Sequence, residues 1–108
     1  MMDEQEFRKR SDEALDTLQR ALDRAADLYG FEVDRNQGAL TIEFEDPPAK
    51  FVVSPNAPVR QIWVSARVQS FKLDWNEAAG SFAFTDGRTL HQLIAGLAGE
   101  QLGEPVSL

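Results

Sequence analysis

The sequence predicts an α+β domain: an antiparallel sheet with one helix before it and one after it. Three observations carry this. A long amphipathic stretch of helical period opens the chain. A series of short segments with two-residue alternation, separated by turn signals, fills the middle. A second helical stripe with its own start and stop signals closes it. Strands joined by short turns pair antiparallel, and two helices packed on one sheet face leave the other face to solvent. The chain has 108 residues and is 43 % hydrophobic, which suits one domain with a core that needs no staples.

The first helix is expected from Asp3 to about Tyr29. Phe7, Ala14, Leu15, Leu18, Leu22, Ala25 and Tyr29 share one side at 100° per residue, and Gly30 ends it. "GALTIEFED" reads as a strand with Leu40, Ile42 and Phe44 inward and Thr41, Glu43 and Glu45 outward. "DPPA" is a turn. "KFVVS" and "RQIWVSA" are the second and third strands. "SFKLDW" is the fourth, with Phe71, Leu73 and Trp75 on one face, and "SFAFT" the fifth, with Phe82 and Phe84 alternating. Thr89 and Gln92 form a capping box for the last helix. Its buried stripe is Leu90, Leu93, Ile94 and Leu97, and Gly103 stops it.

There is no cysteine, which excludes disulfides, thiolate-held metal or iron–sulfur centres, and thiol catalysis. No apolar run approaches spanning length and no targeting pattern opens the chain, so a soluble cytoplasmic protein is the expectation. The formal net charge is −7. Through Asp46 there are 13 acidic and 6 basic residues, and from Pro47 onward 5 of each. The negative excess therefore lies in the first segment. Nucleic acid and anionic membrane are disfavoured as partners, and a cation or a basic protein surface is favoured.

Within that segment Asp12, Asp16, Asp23 and Asp27 fall on one narrow helical stripe away from the apolar side. Carboxylates are hard ligands suited to iron, magnesium, calcium or manganese. One exposed helix cannot wrap an ion, so the expected sites are weak and partly hydrated; a plain solvated face explains the same stripe. Glu32 and Asp34 after the helix, with Glu43 and Glu45, are expected to extend the patch. Arg20 and Arg24 lie at its edge, each within pairing distance of an aspartate three or four residues away. His91 is the only histidine and has no partner at a catalytic spacing. The chain has no phosphate loop, nucleophile elbow or HExxH, and no acid–base pair to support an enzyme.

Trp63 is the sharper signal. Alternation puts Ile62 and Val64 in the core and Trp63 on the polar face with Gln61 and Ser65. Either the indole only packs on its sheet neighbours, or it anchors a partner. In the second case Gln61 and Ser65 would hydrogen-bond the partner's backbone, while Arg60 and Lys72 supply positive rim charge. Both readings stay open on the pattern.

The order of "GALTIEF", "QIWVS", "KLDW" and "LHQL" after an acidic first helix resembles the frataxin family in its bacterial CyaY form. The resemblance runs from about Glu6 to Val106. It implies an α–β sandwich whose antiparallel sheet of five or six strands carries both terminal helices on one face. It implies a non-enzymatic role in iron–sulfur cluster assembly, with a weak ferroxidase-type activity as a remote alternative. Iron, as Fe²⁺ or Fe³⁺, would bind weakly at an acidic ridge, and other divalent cations could substitute. The sheet face would dock on the cysteine desulfurase–scaffold complex. The expected state is a monomer, with iron-dependent oligomers as the alternative.

Residue by residue, Trp63 matches the family's surface tryptophan, and Asn56, Gln61 and Lys72 match polar or basic positions on its face. Asp23 and Asp34 match ridge positions, and Glu4, Glu6 and Asp12 match acids of the first turns. Gln19, Arg20 and Arg24 stand where the bacterial pattern has further acids, and Ser54 then Pro55 where an asparagine is usual. The ridge is thereby diluted. A domain of the same fold that has lost iron binding is the alternative, and the sign of regulation is open.

Overall fold

Asp3 starts the first helix by accepting the amide N–H of Glu6 on its side chain at 2.8 Å, and Gly30 ends it in the left-handed region at φ 78°. Between them α1 runs over Glu4–Tyr29, its buried side formed by Phe7, Leu15, Leu18, Leu22 and Ala25. The computed structural model describes residues 2–45 and 47–108. Ser11 interrupts the apolar stripe, and its hydroxyl is satisfied by donating to the Arg8 carbonyl at 3.1 Å. Thr89 and Gln92 form both bonds of the capping box that opens α2, Leu90–Leu102, and Gly103 closes it at φ 73°.

Six strands lie between the helices: β1 Glu32–Asn36, β2 Ala39–Glu45, β3 Pro48–Asn56, β4 Gln61–Ala66, β5 Gln69–Asn76 and β6 Ser81–Ala83. They form one antiparallel meander in sequence order. The first strand was not expected from the residues, which placed Glu32 and Asp34 directly after the helix. It exists because Gln37 and Gly38 both take positive φ, 54° and 82°. That is the two-residue turn that folds a strand back on its neighbour. At the other edge β6 is shorter than the alternation suggested. Phe84 lies beyond it and packs its ring edge-to-face on Phe71, centroids 5.1 Å apart.

Both helices cover one sheet face. Leu40, Ile42, Phe44, Phe51, Val53, Ile62, Val64 and Leu73 are buried there with Leu93 and Ile94 of α2. Gln101, the buried polar residue of α2, donates to the Pro47 carbonyl at 2.7 Å and ties the helix to the β2–β3 connection. Burying about 0.8 kcal/mol per CH₂ across such a face is what orients the sheet. Among the described residues no helix is long and apolar enough to cross a membrane.

Candidate functional site

The uncovered face is set by β4. Ile62 and Val64 are 0 % and 1 % exposed while Trp63 between them is 38 % exposed. Register places Ser54 of β3 and Lys72 of β5 directly opposite Trp63, one on each side. The neighbouring rows are Asn56, Gln61 and Asp74, and Val52, Ser65 and Ser70. Side chains opposite one another in a ladder share a face. The candidate residues Asn56, Gln61, Trp63, Ser65 and Lys72 are therefore gathered on one surface. A shallow depression of about 330 Å³ lies beside the indole, lined by Val52, Ser54, Ser65, Ser70 and Lys72 among others.

The indole is held. Its Nε1–H donates to Gln61 Oε1 at 3.0 Å, and Gln61 Nε2 donates to Asp74 Oδ1 at 3.1 Å. The Lys72 ammonium stands 5.0 Å from the ring centroid, a cation–π contact. Gln61 thus uses one donor and one acceptor site of its carboxamide within the protein. Asp74 was not singled out in the sequence, although the alternation of β5 puts it on the same face as Lys72. Arg60 sits at φ 56° just before β4, half-buried, and its guanidinium donates back to the Ala57 carbonyl. Its place is the end of the face beside Asp74 and Val59.

The acidic residues are arranged differently. Glu4 pairs with Arg8 at 3.3 Å and Glu6 with Arg10 at 3.2 Å, both along the helix. Asp16 pairs with Arg35 of β1 at 2.9 Å, and Arg35 also donates to Gln19 at 3.2 Å. Among the described residues Arg20 and Arg24 make no ion pair, contrary to expectation. Arg35 leaves β1 on the side facing α1, where its head is only 22 % exposed. A partly buried guanidinium needs a partner more than an exposed one does.

Asp12, Asp23, Asp27, Glu32 and Asp34 are exposed and, among the described residues, unpaired. Glu32 and Asp34 do not continue the helix stripe on the same face. Glu32 is opposite Glu43 and Asp34 opposite Thr41, so they join the uncovered side of the sheet, with Glu45. The donor set is carboxylate oxygen, which fits iron and other hard cations. Among the described residues, however, no three acidic, His or Cys side chains converge on one point.

A second cleft, about 340 Å³, lies between the helices and is lined by Arg10, Glu13, Thr17, Trp75, Ser81 and His91 among others. The Arg10 guanidinium stacks 4.3 Å from the Trp75 ring centroid. Burial lowers the pKa of His91, opposed by its hydrogen bond to the Thr17 backbone. The hydroxyls of the same cleft do not engage it: Thr17 donates to the Glu13 carbonyl, and among the described residues Ser81 Oγ has no hydrogen-bond partner.

A family model described as a frataxin-like domain matches residues 1–104. Relatives named iron-sulfur cluster assembly protein CyaY are similar over nearly the whole chain. The one from Janthinobacterium sp. (strain Marseille) is 32 % identical over 111 residues, 99 % of this chain and 96 % of its own. The one from Paraburkholderia xenovorans (strain LB400) is 33 % identical over 114 residues, 97 % of this chain and 96 % of its own. The solved frataxin from Psychromonas ingrahamii superposes with a TM-score of 0.75 at 22 % identity, covering 98 % of this chain and 97 % of that one. At that identity the likeness speaks for the fold.

Proposed function

The chain belongs to the frataxin family, and we propose that it is an adaptor or regulator of iron–sulfur cluster assembly that docks through the Trp63 face. The observation that carries this is an indole left 38 % exposed on the sheet side that neither helix covers, yet fixed by Gln61 and Lys72. An aromatic anchor surrounded by polar groups is what a protein-binding surface uses. The relatives' name supplies the process. The partner on this reading is the complex of cysteine desulfurase and scaffold protein. Iron enters as cargo, held weakly by the carboxylates of Asp12, Asp23, Asp27 and Asp34, which are unpaired among the described residues. The protein acts by binding rather than by catalysing a step.

Titration of the purified desulfurase–scaffold complex with wild type and Trp63→Ala tests the reading. Wild type should bind and the variant should bind much more weakly while melting at nearly the same temperature. Equal affinities would sink it. A second reading, docking without iron, is favoured by the pairing of Glu4, Glu6 and Asp16 and by the absence of a three-carboxylate cluster among the described residues. It prevails if millimolar Fe²⁺ or Mn²⁺ moves none of the α1 and β1 acidic residues in an NMR titration.

A further inference from the structure

We infer that Asp74 is a positioning residue for the Trp63 anchor: acting through Gln61, its carboxylate holds the indole in the orientation that a partner meets. The inference rests on the docking reading above. An indole N–H can only donate and a carboxylate can only accept, whereas a carboxamide offers one acceptor end and one donor end. Gln61, lying between them, therefore has a single orientation that satisfies both neighbours. Its oxygen turns to Trp63 at 3.0 Å and its nitrogen to Asp74 at 3.1 Å. The relay follows from register, since Gln61 and Asp74 are direct partners across β4 and β5. Its outer bond is charge-assisted, and so the stronger kind.

Among the described residues Asp74 makes no ion pair, so its carboxylate is left for Gln61. Lys72, two residues before it on the same face, stands over the ring. The indole is thus fixed by its polar edge and covered by an ammonium, on a sheet surface where its torsions would otherwise be free. An anchor already ordered in the free protein avoids the cost of immobilising it on binding.

The test measures affinity for the purified desulfurase–scaffold complex together with the Trp63 indole N–H resonance, assigned by its loss in Trp63→Phe. Asp74→Ala should weaken binding by about three- to tenfold, the scale of immobilising one or two side chains. It should also shift the indole proton and speed its exchange with water. Asp74→Asn keeps an acceptor and should restore most of both. In a Gln61→Leu background, Asp74→Ala should cost nothing further, because a relay cut once cannot be cut again. Costs that simply add would mean that Asp74 meets the partner itself, and the positioning role is then wrong. So would an unmoved indole proton in Asp74→Ala. Affinity lost in Trp63→Ala but kept in Asp74→Ala overturns the positioning alone. Affinity kept in Trp63→Ala overturns the docking reading and, with it, any part for Asp74 in binding.

Discussion

The acidic side of α1 and the Trp63 face lie on opposite sides of the sheet and are put together in opposite ways. Along the helix the carboxylates are spaced by the helical repeat, and each meets water or a single arginine. Among the described residues Asp12, Asp23 and Asp27 make no ion pair, and Asp16 is taken by Arg35. On the sheet, one indole is joined to Gln61, Asp74 and Lys72 by contacts between two adjacent strands. The helix offers charge without arrangement, and the Trp63 cluster offers arrangement with little net charge, Lys72 and Asp74 being of opposite sign. Diffuse charge attracts ions and steers a partner, and its effect fades with salt. A prearranged aromatic gives affinity and a defined geometry.

The largest effect that separates the two belongs to the core beneath the sheet surface. Ile62→Ala should lower stability by about 2–5 kcal/mol, because Ile62 is 0 % exposed and leaves a cavity. Its folded fraction should bind the partner normally. Trp63→Ala should do the reverse. Truncating a central anchor costs about 2 kcal/mol or more of binding energy, roughly a thirtyfold loss of affinity, while a change on the open face costs about 1 kcal/mol of stability or less. Thermal melts and titrations on both variants check this. If Trp63→Ala melts as low as Ile62→Ala, the indole is a core residue and the contrast between the two sides collapses.

Smaller effects are expected on the helix. Arg35→Gln removes the ion pair that takes Asp16 and should cost about 1 kcal/mol or less, since Asp16 is 55 % exposed. It should strengthen divalent binding at α1 in an NMR titration and leave the Trp63 resonances unmoved. A Trp63 response to metal would mean that the two regions are one site. Salt or Ca²⁺ should raise the melting temperature by screening the unpaired aspartates or binding the folded state, by a degree or two at most. A melting temperature insensitive to both would show that the helix charge is already compensated.

These comparisons are best made above pH 7, because of His91. Its folded pKa is lowered by burial between the helices, in a cleft that also contains Arg10 and Glu13. The neutral imidazole is the form that the fold favours, so the unfolded chain binds the proton more readily. Stability should fall as the pH drops through the ordinary imidazole value of about 6.5, and this loss should level off once the folded state is protonated as well. Melts at pH 7.5 and 5.5 should show that loss in wild type and less of it in His91→Gln. Equal losses would place the acid sensitivity elsewhere.

Much of this was legible in the chain because its causes are local. The end of α1 followed from Gly30, and the bounds of α2 from Thr89, Gln92 and Gly103. The inward set Leu40, Ile42, Phe44, Ile62, Val64 and Leu73 followed from alternation, which also turned Trp63 outward. Each needs only neighbours within one turn of helix or one pleat of strand. β1 escaped notice because its five residues carry a single strongly apolar side chain, Val33, and its strand character comes from pairing with β2.

The fold's outline, the two faces of each element and the identity of the exposed tryptophan are thus readable from the residues alone. Backbone capping and side-chain periodicity act over a few residues and can be counted along the chain. Which groups meet is settled by long-range packing. Helical spacing nominated Arg20 and Arg24 as partners for the aspartates, but Arg35, 19 residues from Asp16, takes that bond. It does so because β1 packs along α1 and leaves that guanidinium little water. Spacing likewise set Gln61 beside Trp63 without showing that Asp74, 13 residues away, accepts a hydrogen bond from it through the β4–β5 register. Contacts of this kind depend on how strands are shifted and helices are laid, which is settled by burying the whole apolar face at once.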